Sequence, residues 1–415
     1  MNVLVLGGGG REHALAWKLS QSPRIERLWC APGNPGTAQV AQNVALSETD
    51  PAAVVDFCRR EGVDLVVVGP EAPLVAGVAD ALVAAGIPCF GPAAAAARIE
   101  GSKAFAKEIM LAAGVPTAAA STFTDPVAAE AEARRMGRVV VKADGLAAGK
   151  GVIVALSADE AAAAVRELAA LGSASERLVL EEVLEGEEVS VIALCDGARH
   201  VLMPAAQDHK RVGEGDTGPN TGGMGAVAPV KLLDAEALAR ISEEVITPTL
   251  AELSRRGTPF VGALYAGLML TAEGPRVLEY NARFGDPETQ VLMPQLAEDL
   301  LPLLEDCARG RLQPRAVAVR DGVSVGVVLA SHGYPQAPRT GDAIHGLDAL
   351  PEGALAFHAG TRLVDGRLVT SGGRVLTVCA RGESIEAARQ AAYAAAAHVR
   401  FEGMHLRRDI GARAR

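Results

Sequence analysis

Over the first hundred residues, short unbroken apolar runs alternate with stretches of helical spacing. The runs lie at residues 3–6, 28–30, 65–68 and 88–90, and helices are predicted from about Glu12, over residues 52–60 and after the third run. Strands that are apolar on both faces and separated by helices predict a parallel, doubly wound sheet. The pattern changes at Gly101-Ser102, where Ser102 is a good N-cap for a helix that reaches Ala113 and is stopped by Gly114 and Pro116. From 123 to 194 the order is strand, helix (126–136), strand (138–142), glycine-rich loop, strand, helix (158–170) and two strands (177–182 and 187–194), which predicts a compact α+β lobe. Residues 208–225 carry six glycines and no apolar periodicity, a stretch too long for an idle connection and therefore expected to be a binding loop. A helix near 234–255 leads into a hairpin with strands at 260–270 and 276–281. After a polar stretch at 311–315, the last segment holds an apolar run at 322–330, an Asp365-Gly366 hairpin turn and a helix over 384–399.

Length and composition narrow the function classes. At 415 residues and 49% apolar, the chain can fill two to four cores. Forty basic against fifty acidic residues give a net charge of −10, which disfavours a broad nucleic-acid or anionic-membrane surface and leaves local basic sites for small anions. Six scattered cysteines without a Cys-x-x-Cys pair suggest neither a zinc site nor a disulfide framework, and read as core thiols in a reducing compartment. The start lacks a basic leader, and the uncharged run 81–97 is broken by Gly86, Pro88, Gly91 and Pro92, so a cytosolic protein is expected.

Three segments carry chemistry. Gly7-Gly8-Gly9-Gly10, between strand and helix, can present backbone N–H groups to an anion. A dinucleotide fingerprint would need glycine where Glu12 stands and an acid after the second strand, so a sugar-phosphate cradle or a purely structural tight turn remains. Lys142, ending an apolar strand, is followed by a small-residue loop with Gly145, Gly149, Lys150 and Gly151, the composition of a flexible lid over polyphosphate. Gly151 stands where a Walker loop needs Ser or Thr. Arginines outnumber lysines 33 to 7, yet Lys103, Lys142, Lys150 and Lys210 all fall in the segments singled out; a solvated surface role is the alternative for Lys142 and Lys150. Glu279 and Asn281 alternate on one face of a strand about 6.6 Å apart, which suits magnesium held partly by nucleotide phosphates or a merely solvated edge. Arg283 follows directly, a fork able to hold a carboxylate or a transferring phosphoryl group. His209 suits substrate contact and local hydrogen bonding equally.

Taken in order, GGGGREHA (7–14), APGNPGT (31–37), VGPEAPL (68–74), EGSK (100–103), residues 142–152, QDHKRVG (207–213), TGPNTGGMG (217–225), LYAGLM (264–269) and RFGDPETQ (283–290) resemble the phosphoribosylamine–glycine ligase family of the ATP-grasp superfamily. The resemblance implies an N-terminal doubly wound α/β substrate-binding domain (1–101), a two-lobed ATP-grasp domain (102–311, lid lobe about 121–189) and a C-terminal α+β domain (312–415). It also implies ATP-driven joining of glycine to 5-phosphoribosylamine through a glycyl phosphate, in de novo purine biosynthesis. Lys103 and Lys142 would touch the ATP phosphates beneath a lid with Gly149, Lys150 and Gly151. Glu181, Glu182 and Val183 would line adenine, Glu188 the ribose, and Glu279 and Asn281 would bind magnesium or manganese. Arg283 and Lys142 would stabilise the transferring charge. Gly8, Gly9, Gly10, Asn34, Glu71, Asp208, Lys210, Asn220, Gly222, Met224, Arg283 and Asp286 would enclose glycine and phosphoribosylamine. Small molecules are the expected partners, with no nucleic acid and no membrane, on a monomer or homodimer. Many ATP-grasp enzymes have another acid on the preceding strand, where Tyr265-Ala266-Gly267-Leu268 offers none. Another ATP-grasp ligase, a biotin-dependent carboxylase or an ATP-sensing module without turnover are the rivals.

Overall fold

A computed structural model describes residues 1–145, 151–172 and 176–414. The first sheet is parallel and five-stranded, in the order Gln42–Asn43, Arg27–Pro32, Asn2–Gly7, Leu65–Val68, Cys89–Phe90. The doubly wound expectation holds. Every residue of Leu65–Val68 is buried, which is why that run shows no alternation.

Two four-stranded antiparallel sheets follow. The smaller orders Ala120–Phe123, Leu178–Glu181, Val139–Ala143, Val152–Ala155 and is backed by helices Pro126–Met136 and Ala158–Ala169. Its core of Ala133, Val139, Val141, Val165, Leu168 and Leu180 is separate from the other two apolar clusters. The larger orders His200–Leu202, Glu187–Asp196, Val261–Thr271, Gly274–Asn281. Leading into it, the expected helix starts at Asp234, whose side chain caps it, but Ser242–Ile246 takes π geometry before Thr247–Arg255. Pro248, without an N–H to donate, sits where the α-helical ladder loosens.

Residues 208–225 are not an irregular loop. Gln207–Asp208 and Gly225–Ala228 join Val323–Ala330, Arg374–Gly382 and Leu355–His358 in one antiparallel sheet, while Arg211–Gly213 and Thr217–Asn220 form a small hairpin. The pairing partners lie a hundred residues downstream, so local periodicity could not reveal them. Asp365 and Gly366 both take positive φ, the geometry of a type I′ hairpin turn. Helices Glu288–Gln295 and Leu300–Ala308 lack a clear sequence signal; the first is buried on every side, leaving no polar face to set a period. Among the described residues no helix is long and apolar enough to cross a membrane.

Helix Gly10–Leu19 is wedged between these layers. Lys18 Nζ donates to the Leu296 carbonyl at 2.7 Å, Trp17 packs edge-on to Phe357, and His13 Nδ1 accepts the His358 N–H at 2.9 Å. Burial, then the neighbouring His358, pushes His13 down to about 3, and burial alone takes His358 to about 4. An unfolded imidazole titrates near 6.5, so below that pH the unfolded chain binds protons that the folded one refuses. Stability therefore falls from pH 6.5 towards 4, by up to about 1.4 kcal/mol per pH unit for each histidine. Urea unfolding followed by tryptophan fluorescence should show a lower midpoint at pH 5 than at pH 7, with the dependence reduced in His358→Gln; a midpoint that does not change would refute it.

Candidate active site

At the carboxyl end of the first sheet, the chain runs from the central strand Asn2–Gly7 out to one edge and then returns to Leu65–Val68 on its other side, which makes this the switch point where open α/β sheets bind ligands. Gly8, Gly9, Gly10, Asn34 and Glu71 follow the three strands meeting there. Gly7 has φ +121°, and a Cβ on Gly8 would stand 2.7 Å from the Gly33 carbonyl oxygen, so the turn has no room for side chains. The Gly9 N–H donates to Glu12 Oε2 at 2.7 Å. Glu12 thus caps its own helix, in the place a dinucleotide fold reserves for glycine. Asn34 is similarly engaged: its amide donates to Gly8 O (2.9 Å) and His358 O (2.7 Å) and accepts from Gly36 N (2.7 Å), tying the glycine turn to the C-terminal sheet.

Facing this turn is a ring of charge built from the first sheet, the larger antiparallel sheet and the C-terminal sheet. A Cβ on Gly9 would come within 3.9 Å of Asp286 Oδ2. Asp286 accepts from Gln290 at 2.7 Å and lies 3.1 Å from Arg374. Burial would raise its carboxyl, but Arg374 and Arg11 outweigh that and hold it below the usual range. Arg374 also donates to the carbonyl oxygens of Asp286 and Gly222, and Tyr334 accepts the Gly222 N–H at 3.0 Å. Arg283 is 2.9 Å from Glu100 and 3.4 Å from Glu71, and its Nε has no hydrogen-bond partner. Burial opposes its charge, but Glu100, Glu71 and other acids keep it firmly protonated. Glu71 stays ionised because Arg283 and Arg11 overcome burial, whereas burial wins at Glu100 and raises it.

A second cluster lies where the smaller antiparallel sheet meets the larger. Lys142 Nζ is 2.9 Å from Glu181 Oε2 and donates to the Leu278 carbonyl at 2.9 Å; Lys103 Nζ donates to Gly145 O at 3.2 Å. Lys210 Nζ reaches Glu188 at 3.0 Å and Glu279 at 3.8 Å. Glu279 and Asn281 flank Tyr280, whose hydroxyl is buried against Thr249 at 2.7 Å, so both point away from the core as alternation requires. Burial would raise Glu279, but Lys210, Lys142, Lys103 and Arg283 lower it further. Asp208 is raised to about 7 by burial, against Lys210 and with Glu288, Glu188 and Glu279 adding to the rise. The Asn281 amide oxygen lies 3.5 Å from Arg283, which joins the two clusters.

Several other residues expected at the site make contacts within the protein. Glu182 bonds the Ala119 N–H (2.9 Å) and Arg276 (3.0 Å) at the edge, and Val183 follows it, partly buried. The Gly151 carbonyl accepts from Ala143 at 2.8 Å, and Gly149 and Lys150 lie outside the described residues. The Met224 side chain is buried in the apolar core, and Asn220 pairs with Arg211 across the small hairpin. His209 Nε2 accepts the Gly411 N–H at 3.2 Å, a local bond to the C-terminal tail. That tail also places Arg407, 1% exposed, between Asp216 and Asp409, which anchors the hairpin. Residues given no role from the sequence join these clusters: Glu100, Tyr265 and Glu288, which stand inside the motifs at 100–103, 264–269 and 283–290, and Ser190, Arg374 and Lys107, which stand in none. Tyr265 and Ser190 share a 2.8 Å hydrogen bond, and Ser190 donates to Glu288 at 3.1 Å. Of those outside the motifs, only Lys107, one helical turn after Lys103 in a lysine-poor chain, left a hint in the sequence.

Among the described residues no group of three or more His, Cys, Asp or Glu could hold a metal ion. One carboxylate kept ionised by four cations, with an amide oxygen beside it, fits a hard divalent ion that takes its remaining ligands from phosphate.

Comparison with known proteins agrees with this layout. The chain matches "Phosphoribosylglycinamide synthetase, N domain" over residues 1–100, its "ATP-grasp (A) domain" over 101–289 and its "C domain" over 324–413. It is 52% identical to a phosphoribosylamine–glycine ligase of Rhizobium meliloti, covering 100% of this chain and 99% of that protein, and 49% identical to one of Escherichia coli over 100% and 99%. A crystal structure of phosphoribosylamine–glycine ligase from Thermotoga maritima superposes with a TM-score of 0.86 at 36% identity, over 99% of this chain and 100% of that one. A biotin carboxylase from Campylobacter jejuni shares the fold at 15% identity, with a TM-score of 0.74 over 99% and 94%. With its parallel-sheet, ATP-grasp and C-terminal parts matched in order along the whole chain, this protein belongs to the phosphoribosylamine–glycine ligase family.

Proposed function

We propose that the protein joins glycine to 5-phosphoribosylamine at the expense of ATP, giving glycinamide ribonucleotide, ADP and phosphate, as a cytoplasmic step of purine biosynthesis. The observation that carries this reading is the meeting of two clusters in one crevice. Lysines suited to polyphosphate surround Glu279, and Arg283 connects them to Glu71, beside the glycine turn of the first domain. A carbon–nitrogen ligase needs both, because a carboxylate must first be activated and then meet an amine.

Glycine's carboxylate is a poor electrophile, so transfer of the ATP γ-phosphoryl group to it would give glycyl phosphate, which the phosphoribosylamine nitrogen attacks with loss of phosphate. No protein nucleophile is needed. Lys142 and Lys103 bind and orient the phosphates, and Arg283, held between Glu71 and Glu100, presents a fixed guanidinium to the developing charge. Glu279 and Asn281 would hold magnesium or manganese, which neutralises phosphate charge when bound. Glu188 would hold the ribose hydroxyls beside Lys210, and Glu181, Glu182 and Val183 would line adenine. Glu71, Asp208, Lys210, Gly222 and Asp286 would surround the small substrates.

The defining experiment is ADP release with glycine and fresh phosphoribosylamine supplied together and singly. Release should require both. Turnover with bicarbonate in place of glycine would favour the carboxylase fold relatives, and ATP binding without release under any condition would make the protein a sensor. In Glu279→Gln, one ligand oxygen becomes an amide nitrogen, which should weaken the metal about 10- to 100-fold. Titrating magnesium against ADP release should move the half-saturation point by that factor with the melting temperature unchanged; wild-type magnesium dependence would remove Glu279 from the metal site.

A further inference from the structure

Lys107 lies one turn beyond Lys103 on helix Lys103–Ala113, and its side chain is only 6% exposed. Its ammonium donates to Thr117 Oγ1 at 2.7 Å and to the Ala118 carbonyl at 3.1 Å, and stands 3.3 Å from Glu181 Oε1. The other oxygen of that carboxylate is 2.9 Å from Lys142. Glu181 and Lys142 are themselves only 2% and 7% exposed at the side chain. Two dehydrated ammonium groups therefore share one dehydrated carboxylate. Removing charge from water is costly unless it is paired, so this cluster is one anion short. Glu181 Oε1 has no other polar partner, so the Lys107 ammonium at 3.3 Å is what holds that oxygen.

We infer that Lys107 is a positioning residue for ATP: by holding one oxygen of Glu181, it keeps that carboxylate from neutralising Lys142, whose charge stays available to the phosphates. Without Lys107, the whole carboxylate charge would fall on Lys142, and the pair would be satisfied with no nucleotide. The inference rests on the reading of Lys142 as a nucleotide-binding group. The ammonium of Lys107 faces Glu181, Lys142 and, farther off, Glu182. Burial pulls it down to about 8, with Lys142 adding to the fall and Glu181 opposing it. The brake on Glu181 should thus weaken as pH rises through 8.

Nucleotide dissociation constants by calorimetry, with magnesium and a non-hydrolysable ATP analogue on the full-length protein, provide the test. Lys107→Met should weaken binding about tenfold, the scale of one shifted charge in a buried cluster, and leave the KM for glycine within about twofold. In a Glu181→Gln background the same substitution should cost less than about twofold, because no carboxylate remains to capture Lys142. Lys107→Arg should bind like wild type at pH 7 and keep its affinity at pH 9, where wild type weakens. An unchanged constant in Lys107→Met, or an equal loss in both backgrounds, overturns the inference and leaves Lys107 a structural lysine. Unchanged binding in Lys142→Ala overturns the nucleotide reading beneath it, whereas a loss there with none in Lys107→Met overturns only the role of Lys107.

Discussion

The register between strands Glu187–Asp196 and Val261–Thr271 is the constraint on which the site depends. Ten consecutive pairs, from Glu187 opposite Leu270 to Asp196 opposite Val261, fix which side chains face the crevice. A slip by one residue would turn Glu188 and Ser190 to the opposite face and bring Val189 and Val191 out. The next strand inherits this alignment, with Glu279 opposite Gly267 and Asn281 opposite Tyr265. Gly267 matters because a Cβ there would come within 3.3 Å of Glu279 Cγ. The small residue gives Glu279 its room beside Lys210.

Charge in the crevice is then distributed by geometry rather than by composition. The chain as a whole carries −10, yet Lys103, Lys107, Lys142 and Lys210 converge on a few carboxylates. In one cluster Arg283 is outnumbered by acids; in the other Glu181 is outnumbered by lysines. The first arrangement holds a cation rigid and charged, suited to steadying charge that develops during transfer. The second leaves positive charge seeking a partner, suited to a polyanion that comes and goes.

The C-terminal sheet belongs to the site as much as to its own domain. It takes Gln207–Asp208 and Gly225–Ala228 as strands, so the segment carrying Asp208, Lys210 and Gly222 is held at both ends by Val323–Ala330 and its neighbours. Arg374 reaches from that sheet to Asp286, and Arg407 pins the intervening hairpin. Changes far along the chain, near its end, therefore bear on the position of Asp208, Lys210 and Gly222.

The sequence by itself determined the elements whose signals are local. Continuous apolar runs gave the parallel sheet, Ser102 capped the helix expected of it, helices began near Asp234 and Ser384 as their spacing predicted, and Asp365-Gly366 made the hairpin turn. Alternation put Glu279 and Asn281 on one face, and the scarcity of lysine drew notice to Lys103, Lys142 and Lys210. Tertiary structure decided everything that depends on distant partners. The 208–225 segment became strands because its edges found a sheet more than a hundred residues away. Glu12, which in the sequence marks only a departure from the dinucleotide fingerprint, caps the helix after the glycine turn, and the Asn34 amide bonds that turn's carbonyls. Lys107 and Arg374 carry no motif, and Glu100 stands in one that does not reveal its partner; all three meet their charged neighbours only where packing sets them side by side, a condition that no stretch of sequence can express.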